Sequence, residues 1–333
     1  MMKKILITTT ATLGSILCLF ALAAWWWMPA DGWKVGLALV KEGPSLYQKL
    51  PVEMTLPDGT VLDVFKPAGP VKHVAVVSLG LLGTPNIDDR SRPLGNSLSK
   101  IGFEVLMPHG IPKGATPGEQ MSCAGVQARI AALNRAIAYG KTLSPSHKVM
   151  LLSVSAGNHD AMAAAADNPG AISVLGMLNP YDDFNKVLTY TIYGLYPDAN
   201  GILRSLGTSP VEGFSHLAYQ QEAGSPPPPL AAGTRYDPDF FQGVIAKNLS
   251  CWDISNALIQ RLRAVPTVEL ITPVDPVVPA ADKAKLAARM HAALFSTTLA
   301  NHFQLLPTRG LWPKIEGGWG ILETTRFLVA HDN

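Results

Sequence analysis

Residues 151–162 read LLSVSAGNHDAM, from Leu151 to Met162. An apolar, β-prone run breaks at a serine flanked by small residues, and a helix-forming stretch follows. A chain that leaves a strand and enters a helix around one residue must turn so tightly that its backbone is strained. The neighbours two positions to either side must then be small, or strand and helix collide. Ser153 and Gly157 meet that demand, with Ser153 standing where the G-x-S-x-G pattern has its first glycine. The pentapeptide marks Ser155 as a nucleophile at a strand end; the plainer alternative is a small residue at a tight corner.

Outward from this stretch, apolar β-rich runs recur at His73–Leu79, Phe103–Pro108, Val149–Ser153, Ala171–Leu178, Thr267–Val274 and His302–Leu306. Helical spacing fills residues 91–102, 125–143, 159–168 and 281–294, between or just before these runs. Such alternation predicts an α/β fold, a mostly parallel sheet with helices on both faces. Residues 52–67, VEMTLPDGTVLDVFKP, form two alternating runs around Pro57-Asp58-Gly59 and predict an N-terminal β-hairpin. One connection breaks the rhythm. Residues 181–264 are far too long for a crossover and carry Tyr190, Tyr193, Tyr196, Tyr219, Tyr236, Phe240, Phe241 and the stiff run Pro226–Pro229. They predict an inserted cap over the strand ends within a domain spanning 51–333.

The 333 residues suffice for one large core, and 47% of them are apolar. A net charge of +2 without any Lys/Arg block argues against a nucleic-acid partner. The first 29 residues stand apart. Lys3 and Lys4 precede a stretch from Ile5 to Met28 with no charge, ending in Trp25, Trp26 and Trp27. That stretch exceeds the roughly 20 residues that span a bilayer, and it favours an uncleaved signal-anchor with the rest of the chain exported. A cleaved signal peptide is the alternative, since Ala21-Leu22-Ala23 matches a cleavage pattern. Residues 30–50 read as a linker. Localisation follows as the cell membrane with a periplasmic catalytic domain, or as secretion if the segment is removed. Of the three cysteines only Cys123 and Cys251 lie beyond that segment. An oxidising compartment permits their pairing, with two buried free thiols as the alternative.

The order hairpin, strand, helix, strand, helix, strand, Ser155 turn, helix, strand, cap, strand, helix, strand resembles the α/β-hydrolase family from about residue 50 to the end. The resemblance implies a serine hydrolase acting on an ester or related acyl bond. It also implies an oxyanion hole of two backbone N–H groups, at Leu81 in Ser78-Leu79-Gly80-Leu81-Leu82-Gly83 and at Ala156 after the nucleophile. It places the acid at Asp275, in LITPVDPVVP, where a carboxylate orients an imidazole. An ordinary Asp turn before Pro276 is the competing explanation.

The resemblance falters at the base. The family's His follows the last strand, and with that strand set at His302–Leu306 the slot holds Leu311 or Trp319, neither able to accept a proton. His302 then sits at the wrong end of the sheet. His109, His159 and His216 remain as alternatives; His73 and His291 look peripheral, and no other His follows before His331 near the end. A serine hydroxyl without a base is a poor nucleophile at neutral pH. Three functions follow: a membrane-tethered esterase, a catalytically impaired relative that binds a ligand or partner, and an acyltransferase. No phosphate-cradling loop and no spaced His/Cys/carboxylate set appears, so no metal and no other cofactor is expected.

Overall fold

A computed structural model describes residues 50–81, 91–112, 115–241, 250–273, 275–298 and 311–332. The expected signal-anchor, and the linker up to residue 49, lie outside this range. Among the described residues no helix is long and apolar enough to cross a membrane.

The hairpin forms as its alternation predicts. Strands β1 (Val52–Thr55) and β2 (Val61–Phe65) pair antiparallel around a turn in which Gly59 takes a φ of 86°. The Asp58 carboxylate accepts from the Thr60 N–H at 2.9 Å and closes that turn. Then strands and helices alternate: β3 (His73–Ser78), α1 (Ser91–Lys100), β4 (Phe103–Pro108), α2 (Pro117–Met121), α3 (Cys123–Leu143), β5 (Val149–Val154), α4 (Gly157–Asp167) and β6 (Ile172–Leu178). Residues Phe184–Tyr193 form α5, Leu195–Pro197 and Leu203–Ser205 a small two-stranded sheet (β7, β8), Glu212–Ala223 α6 and Asn256–Leu262 α7. The chain closes with β9 (Thr267–Ile271), α8 (Ala280–Met290), β10 (Ala293–Ser296) and α9 (Leu311–Ala330).

Among the described residues eight strands make the main sheet in the order β1-β2-β4-β3-β5-β6-β9-β10, with every pair from β4 to β10 parallel. Its inner strands are apolar on both faces, as strands sandwiched between helix layers must be. Val74 and Val76 of β3 pack on the side of α3 and α4, with Leu133 and Met162. Ala75 and Val77 point the other way, to Leu98 of α1 and Leu328 of α9.

Among the described residues the sheet ends on a strand that the sequence reading lacks. That strand is Ala293–Ser296, in register with Val268–Ile271 of β9, and it lies partly inside the stretch 281–294 expected to be helical. His291, left-handed at φ 55°, ends α8 and releases the chain into the strand. The run His302–Leu306, expected to be the final strand, lies outside the described residues. Leu311 and Trp319 belong to α9 and not to the connection before it.

The chain passes from β3 outward to β4, then returns to β5 on the other side of β3. Neighbouring crossovers therefore diverge between β3 and β5, which opens a crevice at their carboxyl ends. This is the edge at which the sequence-predicted residues gather.

Candidate active site

Ser155 follows β5 directly and holds a φ of 56°, a left-handed conformation that a β-carbon disfavours. Its N–H donates to Leu178 O at 2.9 Å, so the turn is still tied to β6. Gly157 explains why the turn can be so tight. A β-carbon there would lie 2.6 Å from both Gly80 N and Ser78 O. Gly80, at φ 79°, presses back from the other side, where a β-carbon would meet Gly157 N and Val154 O at 3.0 Å. The loop that carries Leu81 thus abuts the turn that carries Ala156, and Ala156 stands at the N-terminal end of α4, where helix N–H groups lack intrahelical partners.

Ser153 and a residue beyond the motif, Asn158, hold the turn in place. The Ser153 hydroxyl donates to Asn158 Oδ1 at 2.7 Å. The Asn158 amide donates to the carbonyls of Ser155, at 2.5 Å, and Leu178, at 3.1 Å. A serine in place of the pattern's first glycine is therefore small enough to fit and polar enough to serve.

Asp275 comes four residues after the end of β9, on the same carboxyl edge. Its side chain has no exposed surface. Oδ1 accepts from the N–H groups of Val277 (2.8 Å) and Val278 (3.0 Å), and Oδ2 accepts from Lys283 Nζ at 2.9 Å. Lys283, equally buried, also donates to Thr272 O (2.9 Å) and Asn179 Oδ1 (3.1 Å). Burial pushes the Lys283 ammonium below its ordinary pKa, and the Asp275 carboxylate works against that. Asn179, left-handed at φ 48°, ends β6 between the strands that deliver Ser155 and Asp275. Its Oδ1 also accepts from Thr272 N at 2.8 Å.

The alternative bases are distributed as follows. His109 follows β4, two strands from β5, hence roughly 10 Å to the side. Its Nε2 lies 3.2 Å from Asp63 Oδ2, though misaligned for a hydrogen bond, and its ring walls a cavity of about 40 Å³ beside Gly80 and Leu81. His159 is buried in α4, with Nδ1 3.4 Å from Asp160 and its ring tilted against Trp252. His216 pairs Nε2 with Ile192 O at 3.0 Å inside the insert. His73 bonds Asp332 at the opposite edge of the sheet. His291 caps α8, and His331 stacks on Phe327.

The insert's aromatic residues serve largely as its own core. Phe241 packs against Tyr193, Tyr219 and Phe240 with ring centroids 4.9–6.3 Å apart. Its far end is tied back by a disulfide between Cys123 and Cys251, with Cα atoms 5.6 Å apart. Of the two states open to these cysteines, the structure has the bonded one. Among the described residues no cluster of His, Cys, Asp or Glu is arranged to hold a metal ion.

A left-handed serine between parallel strand and helix, at the switch point of an eight-stranded sheet, decides the fold. It is the α/β-hydrolase fold. Comparison with solved structures agrees. The chain superposes on Est1E from Butyrivibrio proteoclasticus with a TM-score of 0.52 at 13% identity, covering 85% of this chain and all of that one. The structure of Est1E with ferulic acid bound gives 0.50 at 14% identity, covering 84% and 99%. No family model and no curated protein matches the sequence. At such identities the likeness is one of α/β-hydrolase architecture, and the chemistry must be argued from the site.

Proposed function

We propose that the protein is a serine hydrolase that cleaves an ester or related acyl bond, with Ser155 as nucleophile, Asp275 as acid and His302 as base. The observation that carries the reading is the left-handed backbone of Ser155 at the strand-to-helix turn, a strain that a merely structural serine has no need to bear. His302 enters through chain order. Among the described residues the last strand of the sheet ends at Ser296, and Thr297 N still donates to Ile271 O at 2.9 Å on the carboxyl edge. The stretch between that strand and α9 is where the fold's base belongs, and His302 is four residues past Thr298. Four residues span at most about 14 Å. His302 lies outside the described residues, and chain order carries its assignment.

In the proposed reaction the imidazole takes the Ser155 proton as Oγ attacks the acyl carbon. The N–H groups of Leu81 and Ala156 receive the oxyanion, and Asp275 stabilises the imidazolium. The imidazole then protonates the leaving alcohol, and water completes the hydrolysis. With a base available in the expected slot, the motive for a purely binding relative falls away. The buried aromatic residues of the insert give less support to an aromatic substrate than their number in the sequence suggests.

We also propose an extracytoplasmic location, tethered through the apolar N-terminal segment. The Cys123–Cys251 bond supports it, since such bonds persist in oxidising compartments.

A fluorophosphonate probe tests the nucleophile and the base together on the full chain. Labelling is expected for the native protein and should disappear in Ser155→Ala. It should fall at least about 10³-fold in rate in His302→Gln while His109→Gln and His216→Gln stay near native. Labelling that survives Ser155→Ala ends the reading.

A further inference from the structure

We propose that the cavity beside the oxyanion loop is an acyl pocket for a short chain carrying a neutral oxygen acceptor, such as a ketone, and that Arg129 is the residue that selects it. The inference rests on the proposed hydrolase reading and names the substrate class of that same site.

Strand order gives the cavity its side. β3 and β4 lie on one side of Ser155, and β9 with Asp275 lies on the other. The proton transfers that Asp275 supports concern the leaving alcohol, so the acyl chain is the part of the substrate that runs toward β4. There Gly80 and Leu81 of the oxyanion loop, His109 and Ile111 after β4, and Arg129 and Leu133 of α3 line a cavity of about 40 Å³. A single water fills about 10–15 Å³ of such space, so the cavity takes a group of about three non-hydrogen atoms. Gly110 lets α3 come this close. A β-carbon there would lie 2.5 Å from Arg129 Cα.

The chemistry of that group follows from Arg129, whose side chain is only 10% exposed. Nε donates to Asp160 Oδ2 at 2.5 Å and Nη1 to Gln120 O at 2.6 Å, while the buried Nη2 has no hydrogen-bond partner among the described residues. A guanidinium nitrogen can only donate, so what completes it is an acceptor. A buried donor left unpaired is costly, and a ligand oxygen that reaches it removes that cost. Charge decides between a neutral oxygen and a carboxylate. Asp160 already balances the guanidinium, and Asp63, with 1% of its side chain exposed, stands 3.2 Å from His109 Nε2. A further anion here would have no cation of its own. His109 turns its Nε2 to Asp63, which leaves Arg129 as the donor. A methyl ketone is neutral, accepts without donating, and matches the size of the space.

The test compares kcat/KM on the full chain for the p-nitrophenyl esters of levulinic acid, 4-methylpentanoic acid and succinic acid, each corrected for its uncatalysed rate. The three place a ketone, a methyl group and a carboxylate at the same distance from the scissile carbonyl. Levulinate should exceed 4-methylpentanoate by at least about 10-fold, because the analogue without the oxygen leaves the Arg129 donor unpaired. Succinate should fall below levulinate. Two variants, each checked by thermal unfolding, locate the preference. Arg129→Lys keeps a cation for Asp160 but loses Nη2, and Ile111→Phe narrows the cavity from a half-buried wall. In both the ratio of levulinate to 4-methylpentanoate should fall toward one. Equal rates for those two esters in the native protein overturn the proposal, and so does a succinate ester turned over fastest. A folded Arg129→Lys with the native ratio removes Arg129 from the selection. If that variant does not fold, Ile111→Phe decides, and an unchanged ratio in it refutes the pocket. Failure of the two levels is distinguishable. If the native protein turns over none of the esters, the hydrolase reading itself fails; if it turns them over without preference, only the pocket fails.

Discussion

Ser155 sits at φ 56° at a cost of about 1–3 kcal/mol, and its surroundings over-determine it. Its N–H is taken by Leu178, and its carbonyl by both the N–H and the side-chain amide of Asn158. A second expense is visible two strands away. Glu269 of β9 has no exposed surface, and neither of its carboxylate oxygens has a hydrogen-bond partner. Burial, with the Asp182 charge adding to it, raises its pKa from 4.5 to about 8. The folded protein thus keeps this proton at neutral pH, whereas the unfolded chain has released it above about 4.5. Unfolding in that window releases a proton, so stability is full below about pH 4.5 and declines as pH rises toward 8. Glu269→Gln removes the titration. Its melting temperature should exceed the native one at pH 8, by an amount on the order of a few kcal/mol in stability, and the two should converge near pH 4.5. Parallel melting curves across that range would show that Glu269 does not hold the proton.

The unit of β5, turn and α4 was legible because its requirements are local: small residues two positions either side of a serine, a β-prone run before and a helix after. Gly157 shows how strict they are. Even the single methyl of Gly157→Ala would lie 2.6 Å from the backbone of Gly80 and Ser78, so two loops must shift. That variant should lose about 1–3 kcal/mol, as overpacked sites do. It should lose kcat more than KM, because the displaced N–H groups are those proposed to meet the oxyanion; an unchanged kcat would detach this contact from catalysis. What was not legible depends on distant partners. Strand β10 is four residues, Ala293-Leu294-Phe295-Ser296, directly after an alanine-rich helix, and only its pairing with β9 makes it a strand. The helix before it ends on a left-handed histidine, without the glycine or asparagine that usually announces such a cap. Without that strand the expected base slot falls at Leu311 or Trp319, both of which the structure places in α9. Lys283 escaped notice for the same reason: in ADKAKLAARM it reads as one more solvated charge, and its burial depends on oxygens from β6 and β9.

At the scale of the molecule, the question is how an 88-residue excursion between β6 and β9 is kept in register with the site. Sequence left the pairing of Cys123 with Cys251 open, since two isolated cysteines carry no spacing signal. The bond joins the first residue of α3 to the end of the insert, across a separation of 128 residues. The next residue, Trp252, is fully buried and donates its indole N–H to Met121 O at 2.7 Å. It stacks on Phe184 of α5 with centroids 5.1 Å apart, and Arg129 of α3 lies 5.0 Å above its ring. Arg129 in turn pairs with Asp160 of α4 at 2.5 Å, one turn beyond Ser155. Scaffold helix, insert and the helix that follows Ser155 are thus joined at one point. In the chain-entropy account, cross-linking so long a loop restricts mainly the unfolded chain, and removing a bond of this kind costs about 2–5 kcal/mol. Paired Cys123→Ala and Cys251→Ala substitutions should therefore lower the melting temperature by several degrees. The folded variant should retain most of its ester turnover, because Ser155 and Asp275 are held by sheet-edge bonds that the disulfide does not touch. A melting temperature unmoved by the paired substitution would mean that the Trp252 cluster alone fixes the insert. A turnover that collapses at full stability would mean that the bond acts on the site itself.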